Sequence, residues 1–100
     1  MLYIRLCFDK KNAGELRERL RADHRAYVKP NVLPGVPCRV VLAGPLCVSD
    51  NDDTNLGSFM ILEAESIDAA LRFHKEDPFT TSGLYETSYV HRWDLHVGSI

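Results

Sequence analysis

The sequence lacks most of the features that announce a function directly. Its three cysteines, Cys7, Cys38 and Cys47, are odd in number and widely spaced, with no CxxC pair. That argues against a disulfide framework and against a thiolate zinc site, and it fits a reducing, cytoplasmic setting. No apolar run approaches the length that spans a bilayer. The opening MLYIRLCFDK is too short an apolar run for a signal peptide and is interrupted by Arg5. A basic excess is also missing, since the net charge is −2, so nothing global draws the chain to nucleic acid or to anionic lipid. The one uneven feature is a basic N-terminal half. Residues 1–50 hold nine Lys and Arg against five Asp and Glu, which reads as the solvated side of one helix. Asp50 to Ile61 has the beginnings of a calcium loop. Asn55 stands where that loop requires glycine, and Ile61 where it requires glutamate, so calcium is excluded there.

One hundred residues, 45% of them apolar, make a single domain over 1–100 with a modest core. Leu2 to Phe8 alternates, with Leu2, Ile4, Leu6 and Phe8 on an apolar face and Tyr3, Arg5 and Cys7 on the other. That second face is expected to make dimer contacts. Asn12 and Glu15 have the spacing of a capping box. A helical stripe then runs through Ala13, Leu16, Leu20, His24 and Tyr27, with Arg17, Glu18, Arg21 and Arg25 off the stripe and wet. Pro30, Pro34 and Pro37 break the chain. Cys38–Val48 reads as a second strand interrupted at Gly44-Pro45, and Ser49–Asn55 as a polar connection. Gly57–Ala64 is a third strand, Ile67–Glu76 a helix capped by Ser66 and stopped by Asp77-Pro78, Thr80–Gly83 a turn, and Tyr85–Trp93 a fourth strand.

This order, βαββαβ, is the ferredoxin-like α+β arrangement: a four-stranded antiparallel sheet with both helices on one face. Strands two and three are apolar on both faces, so the open face calls for a second copy, sheet against sheet in a twofold homodimer. An RNA-recognition domain shares the element order. Its third strand would carry basic and aromatic residues, whereas LGSFMILEA has one aromatic and no basic residue.

Several stretches together resemble the YCII-related proteins. They are MLYIRLCFDK, RADH with Arg21 and His24, LAGPL at Leu42–Leu46, Gly57-Ser58, EAES, and EDPF followed by Gly83 to Glu86. The resemblance covers nearly the whole chain. It departs at Ala22, where the family commonly has proline, and in the proline-rich Lys29–Pro37 segment. The resemblance implies a dimeric α+β barrel without metal or organic cofactor, and a site centred on histidine and aspartate. The histidine carries over to His24. The aspartate carries over to Asp77, with Asp9 as a second candidate. Asp9, Arg21, Pro45 and Ser58 are then candidates for holding a small, phenolic or enolisable substrate. One family member is a dehydrochlorinase of a chlorinated hydroxyhydroquinone in aromatic degradation, so a lyase reaction is the leading expectation. A non-catalytic ligand-binding or regulatory dimer and a cofactor-free monooxygenase are the alternatives.

A continuous helix from Asn12 would place His24 about 18 Å along its axis, at the opposite end of the sheet from Asp77. The expectation is therefore a break near Leu20–Ala22 that returns His24 toward Asp77, in the first turn of a new helix where the dipole keeps the ring neutral. Plainer readings stand beside each assignment. His24 can be a satisfied core histidine, Asp77 a helix terminator, Ser58 a backbone cap and Gly44-Pro45 a bulge. His74, His91 and His96 read as surface or interface groups.

Overall fold

Alternation and helical periodicity become eight elements in a computed structural model that describes residues 1–100. They are β1 (Leu2–Asp9), α1 (Gly14–Val28), a 3-10 turn (Lys29–Val32), β2 (Cys38–Ser49), β3 (Asp52–Ala64), α2 (Ile67–Glu76), α3 (Pro78–Thr81) and β4 (Tyr85–Trp93). The strands form one antiparallel sheet in the order β2-β3-β1-β4, which is the ferredoxin-like α+β topology.

Several local expectations change. Ser49–Asn55 is no loose connection: β2 and β3 form a long hairpin that turns at Asp50-Asn51. Strand β2 continues through Gly44-Pro45, because an edge strand tolerates a residue without an N–H. Its irregularities lie instead between Val40 and Leu42, between Leu46 and Cys47, and between Cys47 and Ser49. Asn12 does not cap α1. It takes a left-handed φ of 58° in the turn, and Ala13 precedes the helix without a side-chain cap. Ser66 does cap α2, accepting from the Ala69 N–H at 3.2 Å. Gly57 is required by close approach, since a Cβ there would lie 1.9 Å from the Cys7 carbonyl oxygen.

The largest correction concerns which face of β1 is covered. Tyr3, Arg5 and Cys7 lie beneath the helices, at 0–1% exposure. They share that side with Val40, Met60, Leu62, Ala70 and Phe73. The Leu2, Ile4, Leu6 and Phe8 face points away from the helices. Its cross-strand neighbours include Phe59, Ile61, Tyr89 and His91, and Phe8 and Tyr89 remain 37% and 46% exposed. The covered face holds Tyr3 and Cys7 around an ion-paired Arg5, so alternation alone does not say which face the helices cover.

Helix α1 is continuous, yet His24 reaches Asp77. The reason is the length of α2. Its ten residues extend about 15 Å, so the chain leaves α2 above the middle of the sheet rather than at its end. Asp77 therefore sits over Arg5, halfway along β1. His24 lies seven residues beyond Arg17, about 10 Å along the axis. Arg17 is anchored on Asp9 at the end of β1, and Arg5 is about 13 Å back along that strand. The two elements meet over the same strand position with no kink. The helix-start argument for a neutral imidazole consequently does not apply.

Candidate functional site

Proline at 78 stops α2 and starts α3, leaving Asp77 extended between two helices (φ −63°, ψ 131°). Its carboxylate is fully buried, and Oδ2 has the Arg5 ion pair but no hydrogen-bond partner. Oδ1 accepts from the Phe79 N–H at 3.0 Å and lies 2.8 Å from His24 Nδ1, and Oδ2 lies 2.8 Å from Arg5 Nη1. Asp77 thus caps a helix and holds a histidine at once. Burial raises its pKa, but the hydrogen bond from His24 and the Arg5 charge outweigh that, leaving the carboxyl below its ordinary value.

Arg5 is the residue that reading the sequence missed. Its guanidinium is 1% exposed and spreads over four partners. Nε donates to His74 Nδ1 at 2.9 Å and Nη2 to Thr80 Oγ1 at 3.2 Å. Nη1 meets Asp77 and also Met60 Sδ at 3.6 Å. The side chain also lies over the Phe73 and Tyr85 rings, at 5.7 and 5.6 Å. His74 is accordingly no free surface group. Burial and then the Arg5 charge push it down to about 4, so near neutrality it is an acceptor. The available signal was a single arginine inside the most apolar strand.

His24 is stacked on Phe79, centroids 3.9 Å apart and planes 8° from parallel. With Nδ1 engaged by Asp77, the ring is held in plane and in orientation. It lines a cleft of about 450 Å³ between α1 and the β2–β3 hairpin. Ser58, Met60, Gly44 and Pro45 belong to the wall opposite the helix, with Phe79 beside the histidine. Ser58 and Pro45 are paired across β2 and β3, so two of the predicted residues are brought together with His24.

The other predicted residues separate. Asp9 is not in the cleft lining. Both its oxygens are taken by Arg17, at 2.6 Å from Nε and 2.8 Å from Nη2, so it neither touches His24 nor offers a free carboxylate. Arg17 is 6% exposed rather than wet, and it reaches Ser58 Oγ at 3.0 Å and the Phe79 ring at 4.8 Å. Arg21 lines the cleft, with Nη2 on Glu18 at 2.8 Å. Other acid–base groups nearby are out of range at neutral pH. Burial pushes the Tyr85 and Tyr27 phenols up to about 12 and raises the Cys7 thiol. No cluster of histidine, cysteine and carboxylate groups has the makings of a metal site.

The fold defines the class of protein: a ferredoxin-like α+β sheet, here with a buried aspartate held against a cleft-lining histidine. The chain belongs to the YCII-related family, whose domain matches residues 1–94. The protein YciI of Escherichia coli is 33% identical over 90 residues, spanning 86% of this chain and 89% of that one. The Shigella flexneri protein YciI matches to the same degree. Among solved structures, 5-chloro-2-hydroxyhydroquinone dehydrochlorinase of Burkholderia phenoliruptrix, in complex with 2,5-dihydroxybenzoquinone, superposes with a TM-score of 0.81. It has 33% identity and coverage of 94% of each chain. A Pseudomonas aeruginosa protein at 16% identity and a TM-score of 0.54, covering 95% of this chain and 93% of its own, shares the fold. No helix is long and apolar enough to cross a membrane.

Proposed function

We propose that this protein is a small acid–base lyase that needs no metal or organic cofactor, and that it removes HCl from a chlorinated hydroxyquinol. The observation that carries the reading is the 2.8 Å contact between His24 Nδ1 and the buried Asp77 carboxylate, made by a ring that lines an open cleft. A base engaged on one nitrogen by a carboxylate can take a proton on the other, and the carboxylate stabilises the imidazolium that forms. The likeness to a dehydrochlorinase at 33% identity over 94% of both chains supports the same chemistry.

In this reaction His24 takes a hydroxyl proton from the substrate. The oxygen electron pair becomes a ketone, and the ring carbon bearing chlorine gains a proton, returned by His24. Deprotonation of a second hydroxyl then supplies the electron pair that expels chloride. The net loss is H⁺ and Cl⁻. The carbon–chlorine bond accepts the electrons, so no external oxidant is consumed. Arg5 keeps Asp77 ionised and fixed, which makes it a positioning residue. Ser58 and Pro45 shape the wall across from His24.

Purified protein mixed under nitrogen with a chlorinated hydroxyquinol should release chloride stoichiometrically, and His24→Ala should lower that rate by about 10²–10⁴. Binding of the compound without chloride release would remove the lyase reading in favour of a ligand-binding protein. A requirement for dioxygen would point to a monooxygenase.

The apolar face of Leu2, Ile4, Leu6 and Phe8 supports a homodimer, sheet against sheet, because one chain has no element left to cover it. Light scattering at micromolar concentration should give twice the chain mass; a monomer there contradicts the pairing.

A further inference from the structure

Helix α1 carries Arg17, Arg21 and Arg25 at steps of four, and Lys29, its C-cap, follows at the same step. Residues so spaced share one face, and that face is turned to the cleft: all four line it together with His24. The cleft lining contains no carboxylate. The four cations differ in what remains free. Arg17 is neutralised by Asp9. Arg21 shares Nη2 with Glu18, while its Nε is buried with no hydrogen-bond partner. Arg25 and Lys29 take part in none of the ion pairs of the fold. Like charges four residues apart repel along a helix by a few tenths of a kcal/mol each, which offsets part of what the helix dipole gains from Arg25 and Lys29 at its C-terminal end. Along the axis, Arg25 and Lys29 lie about 1.5 and 7.5 Å to one side of His24 and Arg21 about 4.5 Å to the other, so a ring seated against His24 can carry a substituent toward Arg25 and Lys29.

We infer that the cleft takes a phenol that also carries an anionic group, a carboxylate in its simplest form. The carboxylate is received by Arg25 and Lys29 while the hydroxyl faces His24. The placement of the hydroxyl rests on the acid–base reading above, whereas the anion preference rests on the basic row alone. A neutral phenol leaves the two free cations, Arg25 and Lys29, without a partner, whereas a carboxylate supplies charge-assisted hydrogen bonds to them. The basic half of the sequence, which reads as a solvated surface, is then a selectivity element.

The test is calorimetric and needs no turnover. The protein is titrated with 2,5-dihydroxybenzoate and with its neutral analogue, 2,5-dihydroxybenzamide, at low and high salt. The carboxylate should bind at least about tenfold more tightly at low salt, and the preference should shrink as salt screens it. Arg25 and Lys29 are exposed, so the double variant Arg25→Gln/Lys29→Gln leaves the core intact. In it the ratio should fall toward one. Equal affinities, no binding of either compound up to millimolar concentration, or an unchanged ratio in the variant would overturn the inference. Carboxylate preference without chloride release keeps this inference and removes the lyase reading; chloride release without the preference does the reverse.

Discussion

Two arginine–aspartate pairs lie buried beneath the same helices, and they are built differently. Arg17 and Asp9 form a closed fork, with both carboxylate oxygens taken by one guanidinium. Nothing is left over, and the pair ties the start of α1 to the end of β1. Arg5 approaches Asp77 through one oxygen only, leaving the other for His24 and the Phe79 amide. The first arrangement holds structure together. The second holds structure and keeps a histidine oriented at a cleft. Burial of a charge pair is common to both; the unshared oxygen is what separates a strut from a candidate active site.

The two pairs should respond unequally to substitution. Arg5→Met leaves a carboxylate of 0% exposure without its main cation, and should cost about 3–5 kcal/mol of folding stability, read as a lower urea midpoint. A midpoint within error of wild type would mean that the surrounding donors suffice and that the Arg5 pair resembles a surface contact. Asp9→Asn keeps an acceptor for Arg17 but removes its charge, so a smaller loss of about 1–3 kcal/mol is expected. The gap between the two variants measures how much more the Arg5–Asp77 centre matters than the strut.

The smallest effect sharpens the difference by pH. His74 accepts from Arg5 and is held down to about 4 against an ordinary 6.5. Between those values the unfolded chain binds a proton that the folded chain refuses, so stability falls as pH drops through that window. His74→Gln supplies a non-titrating acceptor and should flatten the slope between pH 6.5 and about 4. Asp77, lowered by its partners, contributes its own loss only as pH falls below the ordinary carboxylate range. An unchanged slope in the variant would show that His74 does not sense the Arg5 centre.

The element order and the family were legible in the sequence because alternation, the Ser66 cap and the Asp77-Pro78 stop are local signals. So were His24 and Asp77 as a pair, through the family resemblance. Their meeting point was not legible, because it depends on where α2 ends over the sheet, a matter of tertiary geometry. Arg5 was placed on the correct face of β1, with Tyr3 and Cys7, but that face was expected to make dimer contacts because the opposite one is the more apolar, whereas the helices cover it. Arg17 was taken as wet because it sits one step from Leu16, at the edge of the helical stripe, where a partner such as Asp9 decides its burial. The β2–β3 hairpin was hidden in a polar stretch, DDTN, whose side chains are mostly exposed and so carry no core signal.

Asp77, and not the Arg17-paired Asp9, serves His24. The direct measurement is the rate of chloride release from a chlorinated hydroxyquinol by Asp77→Asn and Asp9→Asn, each compared with wild type under nitrogen. Asp77→Asn should lose about 10² or more in rate, and Asp9→Asn should stay within about tenfold of wild type. Equal losses in the two variants, or a larger loss for Asp9→Asn, would contradict this pairing.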